Sequence, residues 1–449
     1  MAIPLHTLTV DAFGRGLRAG EFTSSDVTLA CLQRVEADNG RLNAFTLVLA
    51  EEARAQALQA DRDLASGIDR GPLHGVPISI KDLLDLRATP TSASSRVREG
   101  HVARGDAQAI VQLRRAGAVF VGKTNLHEFA FGTTTEESAF GASRNPHDVT
   151  RSAGGSSGGS AISVATGMAL ATIGTDTGGS IRIPASACGI VGLKPAAGEV
   201  STDGVVPLSR SLDHVGPLAR SVTDAWLVYR ALRGDTGDAT LDVPGLEGLR
   251  FAVPRRYFLD LVDEDVRSRF EESLERFRAA GATVVDADIP HADDIVAVYA
   301  TIVSSEASAY HARTLETMPE RYTPPVRARL EVGRYLLAED YLRALKGREV
   351  LRREVAQAVG SCDALVLPTL PIAAPTLGQQ TAAIGGSTEP VRSLMLRLTS
   401  IFNLSGHAAL SLPCGRTSTG LPVGLQVVGA STKRLAEIGL ACEQLLGSA

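Results

Sequence analysis

Two serine-bearing glycine clusters constrain this chain more than any other feature: Gly154-Gly155-Ser156-Ser157-Gly158-Gly159-Ser160 and Asp176-Thr177-Gly178-Gly179-Ser180-Ile181-Arg182. Their central serines are twenty-four residues apart. Clustered glycines let backbone amides crowd around a reacting group and adopt conformations that a Cβ forbids. A serine among them is a candidate nucleophile beside ready oxyanion donors. It needs a base, and a buried lysine that has lost its proton can serve. Lys81, closing the apolar run Val76-Pro77-Ile78-Ser79-Ile80, is the candidate.

Lysine usage sharpens that choice. Only five of the 45 basic residues are lysine: Lys81, Lys123, Lys194, Lys346 and Lys433. Where the chain needs only a surface cation it uses arginine, so a lysine here is expected to have a lysine-specific task. Lys346 and Lys433, in polar helical contexts, fit the surface role.

Composition removes several classes. A formal net charge of −5 leaves no basic footprint for nucleic acid. Cys31, Cys188, Cys362, Cys414 and Cys442 are scattered, with neither a CxxC pair nor His/Cys ligand spacing, so no disulfide framework or zinc site is expected. Cys188, among small apolar residues, reads as core. The start Met1-Ala2-Ile3-Pro4-Leu5-His6 has no secretory pattern, and no apolar window is long enough to span a bilayer. The expectation is a cytoplasmic protein with no membrane or nucleic-acid partner.

The chain has a β-α-β rhythm. Ser24-Ser25-Asp26 should cap a helix to about Asn39, and Leu49 to Ser66 should form a second. A strand ending at Lys81, a helix from Asp106 to Ala116, a strand at Val119-Phe120-Val121, a helix from Gly158 and a buried strand from Ala169 to Gly174 follow. The pattern restarts with a strand at Leu249–Val253, a helix at Asp263–Ala280 and a strand at Thr283–Val285. Pro324 to Val359 reads as one long helical stretch before the strand Ala364–Pro368. Gln379 to Pro390, rich in Gly, Thr and Ala, reads as a mobile surface loop.

Gly75 to Asp82, Gly154 to Ser160 and Gly174 to Pro195 closely resemble the amidase signature family. The likeness continues through Pro207-Leu208-Ser209-Arg210-Ser211-Leu212-Asp213-His214-Val215-Gly216-Pro217 and Leu421-Pro422-Val423-Gly424-Leu425-Gln426. It extends from about residue 25 to 440. It implies an α/β fold with a mixed twisted sheet covered by helices on both faces. One domain is expected over residues 1–449, with N-terminal helices (1–65), a signature core (66–230) and a remainder holding pocket segments (231–449).

The resemblance also implies a Ser-cisSer-Lys triad of Ser180, Ser156 and Lys81. An oxyanion hole of the Thr177, Gly178, Gly179 and Ser180 N–H groups follows, with Ser157, Asp176 and Arg182 as a supporting network. No metal or cofactor is implied. The expected reaction is amide hydrolysis on a small molecule, with carbamates and esters presenting the same carbonyl; a homodimer is left open. Pocket walls are expected from Phe129 to Thr135, Tyr310 to Tyr341 and Thr381 to Asn403. Arg329 could meet a substrate carboxylate, although an arginine on a charged helix is usually solvated.

Competing readings are weaker. Gly154-Gly155-Ser156-Ser157-Gly158 matches the G-x-S-x-G elbow, with Asp213 and His407 downstream, but that elbow must follow a buried strand. The polar, proline-broken stretch Asn145-Pro146-His147-Asp148 precedes it instead. No phosphate-binding G-x-x-x-x-G-K-[ST] is present. His127 and His214 read as packed or surface histidines rather than catalytic ones. Glu128-Phe129-Ala130-Phe131-Gly132 and Thr135 to Gly141 resemble the glutaminase subunit of a tRNA-dependent amidotransferase. The tyrosine-glycine step typical of that subunit is missing, however, where this chain has Asp203-Gly204-Val205-Val206-Pro207. A non-catalytic binding protein on the same fold is disfavoured because all three triad positions are filled.

Overall fold

The computed structural model describes residues 4–237 and 239–447; Met1 to Ile3, the first residues of the start read for a secretory pattern, lie outside the described residues. Its strands are β1 (Phe45–Val48), β2 (Pro77–Lys81), β3 (Val119–Thr124), β4 (Ala171–Asp176), β5 (Val191–Lys194), β6 (His214–Ala219), β7 (Arg250–Pro254), β8 (Thr283–Ala287), β9 (Ala364–Pro368), β10 (Thr381–Ile384), β11 (Ser387–Pro390), β12 (Ala408–Arg416) and β13 (Pro422–Gly429). Eleven of them form one sheet in the order β1-β3-β2-β4-β6-β5-β12-β13-β9-β7-β8. The sheet is mixed: β2 runs parallel to β3 and β4, β7 runs parallel to β8 and β9, and β12 and β13 are antiparallel.

Helices cover both faces, as alternation along β3 shows. Val119 and Val121 pack with Val35, Ala53, Ala57 and Ala161, from helices Ser24–Leu42, Ala50–Ala65 and Gly158–Ala165. Phe120, pointing the other way, joins Ile110 and Leu113 of the helix Gln108–Arg115. Strands β2, β4 and β9 are buried along their whole length, which is why they read as short continuous apolar runs.

Three details differ from the sequence reading. The helix expected to be capped by Ser24-Ser25-Asp26 is capped by Thr23, whose side chain accepts from Asp26 N at 3.0 Å while the Asp26 carboxylate accepts from Thr23 N at 2.9 Å. Ser24 instead donates to the Gly75 carbonyl at 2.6 Å, holding the turn into β2.

The stretch from Pro324 to Val359 is two helices, Pro324–Gly333 and Ala338–Gly360, both packed on the helix Ile295–Thr317. The break falls at Gly333, where a Cβ would lie 2.3 Å from the Ser304 carbonyl oxygen. Backbone contact this close requires glycine and fixes where the chain turns back.

The segment Gln379 to Pro390 is not an irregular loop. Thr381 pairs with Pro390 and Ile384 with Ser387 in the β10–β11 hairpin. Gly385 (φ 58°) and Gly386 (φ 78°) supply the two left-handed residues of its turn.

Candidate active site

The register of the sheet brings the glycine clusters and the lysine together. β2 and β4 are parallel neighbours, Ile80 opposite Ile173, so Lys81 at the end of β2 lies beside the last residues of β4. Lys81 is fully buried, and its Nζ donates to Ser156 Oγ at 2.8 Å and to Thr175 Oγ1 at 2.7 Å. Burial pulls its pKa down to about 7, against the opposing pull of the Asp176 and Asp213 carboxylates.

Ser156 is also fully buried, and the Gly155–Ser156 peptide bond is cis. Its carbonyl accepts from His127 N at 3.1 Å and from Thr135 Oγ1 at 3.3 Å. Gly155 lies flat on the turn at Thr133–Thr135, where a Cβ would come within 2.8 Å of Thr134 N. Ser180, 5% exposed, ends the turn that follows β4, and its carbonyl accepts from Ser157 N at 3.3 Å.

That turn is held from outside. At Gly179 φ is +142°, and a Cβ would approach Thr399 Oγ1 to 2.4 Å. At Gly178 a Cβ would lie 2.2 Å from the Tyr299 hydroxyl. Thr399 Oγ1 donates to the Gly178 carbonyl at 2.5 Å. Among the described residues, no protein acceptor takes the N–H of Gly178, Gly179 or Ser180.

Asp176 and Arg182 form a fully buried, two-pronged ion pair, Nε to Oδ2 at 3.0 Å and Nη2 to Oδ1 at 2.9 Å. Arg182 Nη1 donates to Gln426 Oε1 (2.7 Å) and the Thr399 carbonyl (3.0 Å), while Nη2 donates to Asn403 Oδ1 (2.7 Å). Asn403 Nδ2 returns hydrogen bonds to Asp176 Oδ1 and the Asp176 carbonyl, each at 2.9 Å. Although burial opposes it, the Arg182 charge with its hydrogen bonds holds the Asp176 carboxyl far below its ordinary range. Ser157 lies beside this network and outside it. Its hydroxyl donates to the Thr175 carbonyl at 3.2 Å, with no bond to Asp176 or Arg182.

Five residues not singled out by the sequence reading belong to the site: Thr175, Tyr299 and Gln426, together with Thr399 and Asn403, which the sequence placed only within the expected wall stretch Thr381 to Asn403. Asp213, which the sequence offers only as an elbow partner, makes a sixth. Its carboxylate accepts from Thr177 Oγ1 at 2.5 Å, from Leu208 N at 3.0 Å and from Ser209 N at 3.1 Å. Burial raises its pKa to about 6. The sequence signal for Gln426 is a lone amide in a strand otherwise glycine and apolar, buried throughout. Lys123 and Lys194 are also fully buried: Lys123 pairs with Asp82 at 3.0 Å, and Lys194 donates to the Pro195 carbonyl at 2.8 Å.

The histidines are packed. His127 is 2% and His214 6% exposed, and burial lowers His214 to about 3. Cys188 is buried in the core formed with Ile181 and Ala185. The elbow geometry is absent: Ser156 precedes the helix Gly158–Ala165 without a strand before it, and Asp213 is committed to Thr177.

The chain matches the model of the Amidase family over residues 26–433 and belongs to that family, the amidase signature enzymes, which act on amide carbon–nitrogen bonds. A glutamyl-tRNA(Gln) amidotransferase subunit from Anaeromyxobacter dehalogenans (strain 2CP-C) is 39% identical over 93% of this chain and 91% of its own. A protein named amidase from Pseudomonas putida is 41% identical over 93% of this chain and 91% of its own. A crystal structure described as an amidase superposes with a TM-score of 0.93 at 39% identity, covering 98% of this chain and 100% of that one. The fold is that of the amidase signature enzymes. No helix among the described residues is long and apolar enough to cross a membrane.

Proposed function

We propose that this chain hydrolyses an amide bond of a small molecule through an acyl-enzyme on Ser180, with Lys81 as base and Ser156 as relay. The observation that carries this reading is the buried contact of Lys81 Nζ with Ser156 Oγ at 2.8 Å, on an amine whose pKa lies near 7. A neutral amine has two N–H groups and one lone pair. Thr175 Oγ1 takes one N–H, which leaves the lone pair free to turn toward the Ser156 hydroxyl.

In the first step Ser180 Oγ bonds to the amide carbonyl carbon. Its proton passes to Ser156 Oγ as the Ser156 proton passes to Lys81 Nζ. The N–H groups of Thr177, Gly178, Gly179 and Ser180 receive the developing oxyanion, where one donor is commonly worth about 100- to 1000-fold in rate. The carbon–nitrogen bond then breaks, and the departing amine takes a proton back through Ser156. Water adds to the acyl-Ser180 ester by the same relay and releases the carboxylic acid.

The relatives' names favour a second reading, a glutaminase subunit that works within an amidotransferase. Against it stands the segment after Gly204, which has the proline-leucine-serine pattern of free-standing amidases. The discriminating experiment is a hydrolysis screen of the purified chain across aliphatic amides, aryl amides, carbamates and glutamine. Turnover of a small amide by the chain alone is expected. Activity that needs glutamine and a co-expressed subunit would establish the second reading instead.

A further inference from the structure

Four of the thirteen large apolar side chains exposed among the described residues lie within eleven residues of one another: Val332, Tyr335, Leu337 and Leu342. They surround the turn between the helices Pro324–Gly333 and Ala338–Gly360. Apolar side chains scattered singly over a surface need no explanation, whereas a cluster marks a face that another molecule covers. Tyr335 is 85% exposed, and its hydroxyl makes no hydrogen bond among the described residues. A tyrosine standing out from a turn in this way is the kind of anchor that fills a pocket on a partner.

A pocket for it lies on the same corner. A groove of about 520 Å³ runs between the helices Ile295–Thr317 and Ala338–Gly360, with Val298, Thr301, Leu336, Ala344 and Gly347 among its lining. Gly347 keeps it open, since a Cβ there would lie 2.8 Å from Val298 Cγ2. The rim carries both signs of charge. Glu339 is exposed and has no ion pair among the described residues, and Arg343, four residues further on, has only Asp340 of its own helix, at 3.4 Å.

One arrangement matches all of these groups. An antiparallel crossing of two copies of the helix Ala338–Gly360, about a two-fold axis beside Tyr341, sets Glu339 of each copy opposite Arg343 of the other. The same register puts Ala338 opposite Ala344, two side chains small enough for close approach, and carries Tyr335 to the level of Gly347 in the facing groove. A two-fold contact uses one patch twice, so it needs knob and groove, acid and base on the same surface. A partner of different sequence accounts for the knob or for the groove, and not for the presence of both on one corner.

We infer that this corner is the interface of a homodimer of this chain, with Tyr335 of each copy seated in the groove of the other and Glu339 paired with Arg343 across the axis. The far wall of the groove is the helix Ile295–Thr317, which also carries Tyr299 against Gly178. The dimer therefore braces from outside the helix that packs on the Ser180 turn. It stands independently of the chemistry assigned to Ser180.

Sedimentation equilibrium of the purified chain tests the interface in the wild type, Tyr335→Ala, Glu339→Arg, Arg343→Glu and the double variant Glu339→Arg/Arg343→Glu, each with its circular dichroism spectrum checked against the wild type. Leu58→Asn, at an exposed apolar position on the helix Ala50–Ala65, is the control. The wild type and Leu58→Asn are expected to dimerise at micromolar concentration. Tyr335→Ala and each single charge reversal should weaken the dimer by about 10-fold or more, because a two-fold contact feels every change twice and the reversals set like charges face to face. The double variant exchanges the two charges and should recover the dimer. A wild type that is monomeric at every concentration overturns the inference and leaves the corner to a partner of other sequence. A dimer indifferent to Tyr335→Ala and to both single reversals lies elsewhere and overturns it as well, and a double variant that dissociates as the single ones do overturns the Glu339–Arg343 pairing.

Discussion

Arg182 Nη1 meets Gln426 Oε1 at 2.7 Å across 244 residues of sequence. The contact ties the helix Arg182–Cys188, which begins two residues after Ser180, to the middle of β13. Through Asp176 and Asn403 the same guanidinium fixes both ends of the Ser180 turn. Replacing Arg182 by Met leaves the Asp176 carboxylate buried without its counter-charge. Removing one partner of a buried pair costs about 3–5 kcal/mol, and that loss is expected in urea unfolding of Arg182→Met. A loss below about 1 kcal/mol would show that the pair contributes little.

Ser180→Ala should abolish both turnover and labelling by a fluorophosphonate, with an unchanged circular dichroism spectrum. Labelling that persists in Ser180→Ala and disappears in Ser156→Ala would transfer the nucleophile to Ser156.

Lysine chemistry has its own pH signature. The folded-state pKa of Lys81 is lowered to about 7, so the neutral base is scarce below that value and prevails above it. Activity should climb with pH through one limb near 7. Lys81→Arg keeps a charge that cannot be given up and should be as damaging as Lys81→Ala, by several orders of magnitude in kcat. His214 and His407, lowered by burial to about 3 and about 4, are neutral across that range, and their alanine variants should lose far less. Collapse of His407→Ala beside an active Lys81→Ala would reject the scheme.

Asp213 supplies a finer measure of the same group. Its negative charge raises the proton affinity of Lys81. Asp213→Asn removes the charge while keeping an acceptor for Thr177 Oγ1, so the basic limb should move to lower pH. A limb that stays in place would mean that Asp213 acts only by holding the turn at Leu208–Ser209.

Much of this site can be read in the sequence because Ser156 and Ser180, the two serines proposed to react, sit in glycine-rich runs that few other structures require. Lys81 closes an apolar strand instead, and the scarcity of lysine singles it out. The side chains that hold Arg182 are of another kind. Asn403 and Gln426 are single amides in the C-terminal part of the chain, and their meaning appears only when β13 and the segment after Leu398 fold back onto Arg182. Tyr299 shows the same limit, since its contact with Gly178 joins two segments with no shared pattern. The hairpin β10–β11 is legible in principle. Gly385-Gly386 between two short runs is a two-residue turn signal, and the polar composition around it masks the pairing.

The segments that meet at Gly178 come from opposite ends of the chain. Lys81, Ser156 and Ser180 precede residue 200, whereas Tyr299, Leu396 and Thr399 follow it. The proposed reacting groups are therefore encoded in one stretch and the segments packed on the Ser180 turn in another, joined by side-chain contacts rather than by a shared backbone. Insertions, deletions and exchanges in the C-terminal stretch can reshape what the serine sees without disturbing its glycine turn. A chimera carrying residues 291–400 of a differently selective relative should inherit that relative's choice of acyl group while keeping the pH limb set by Lys81.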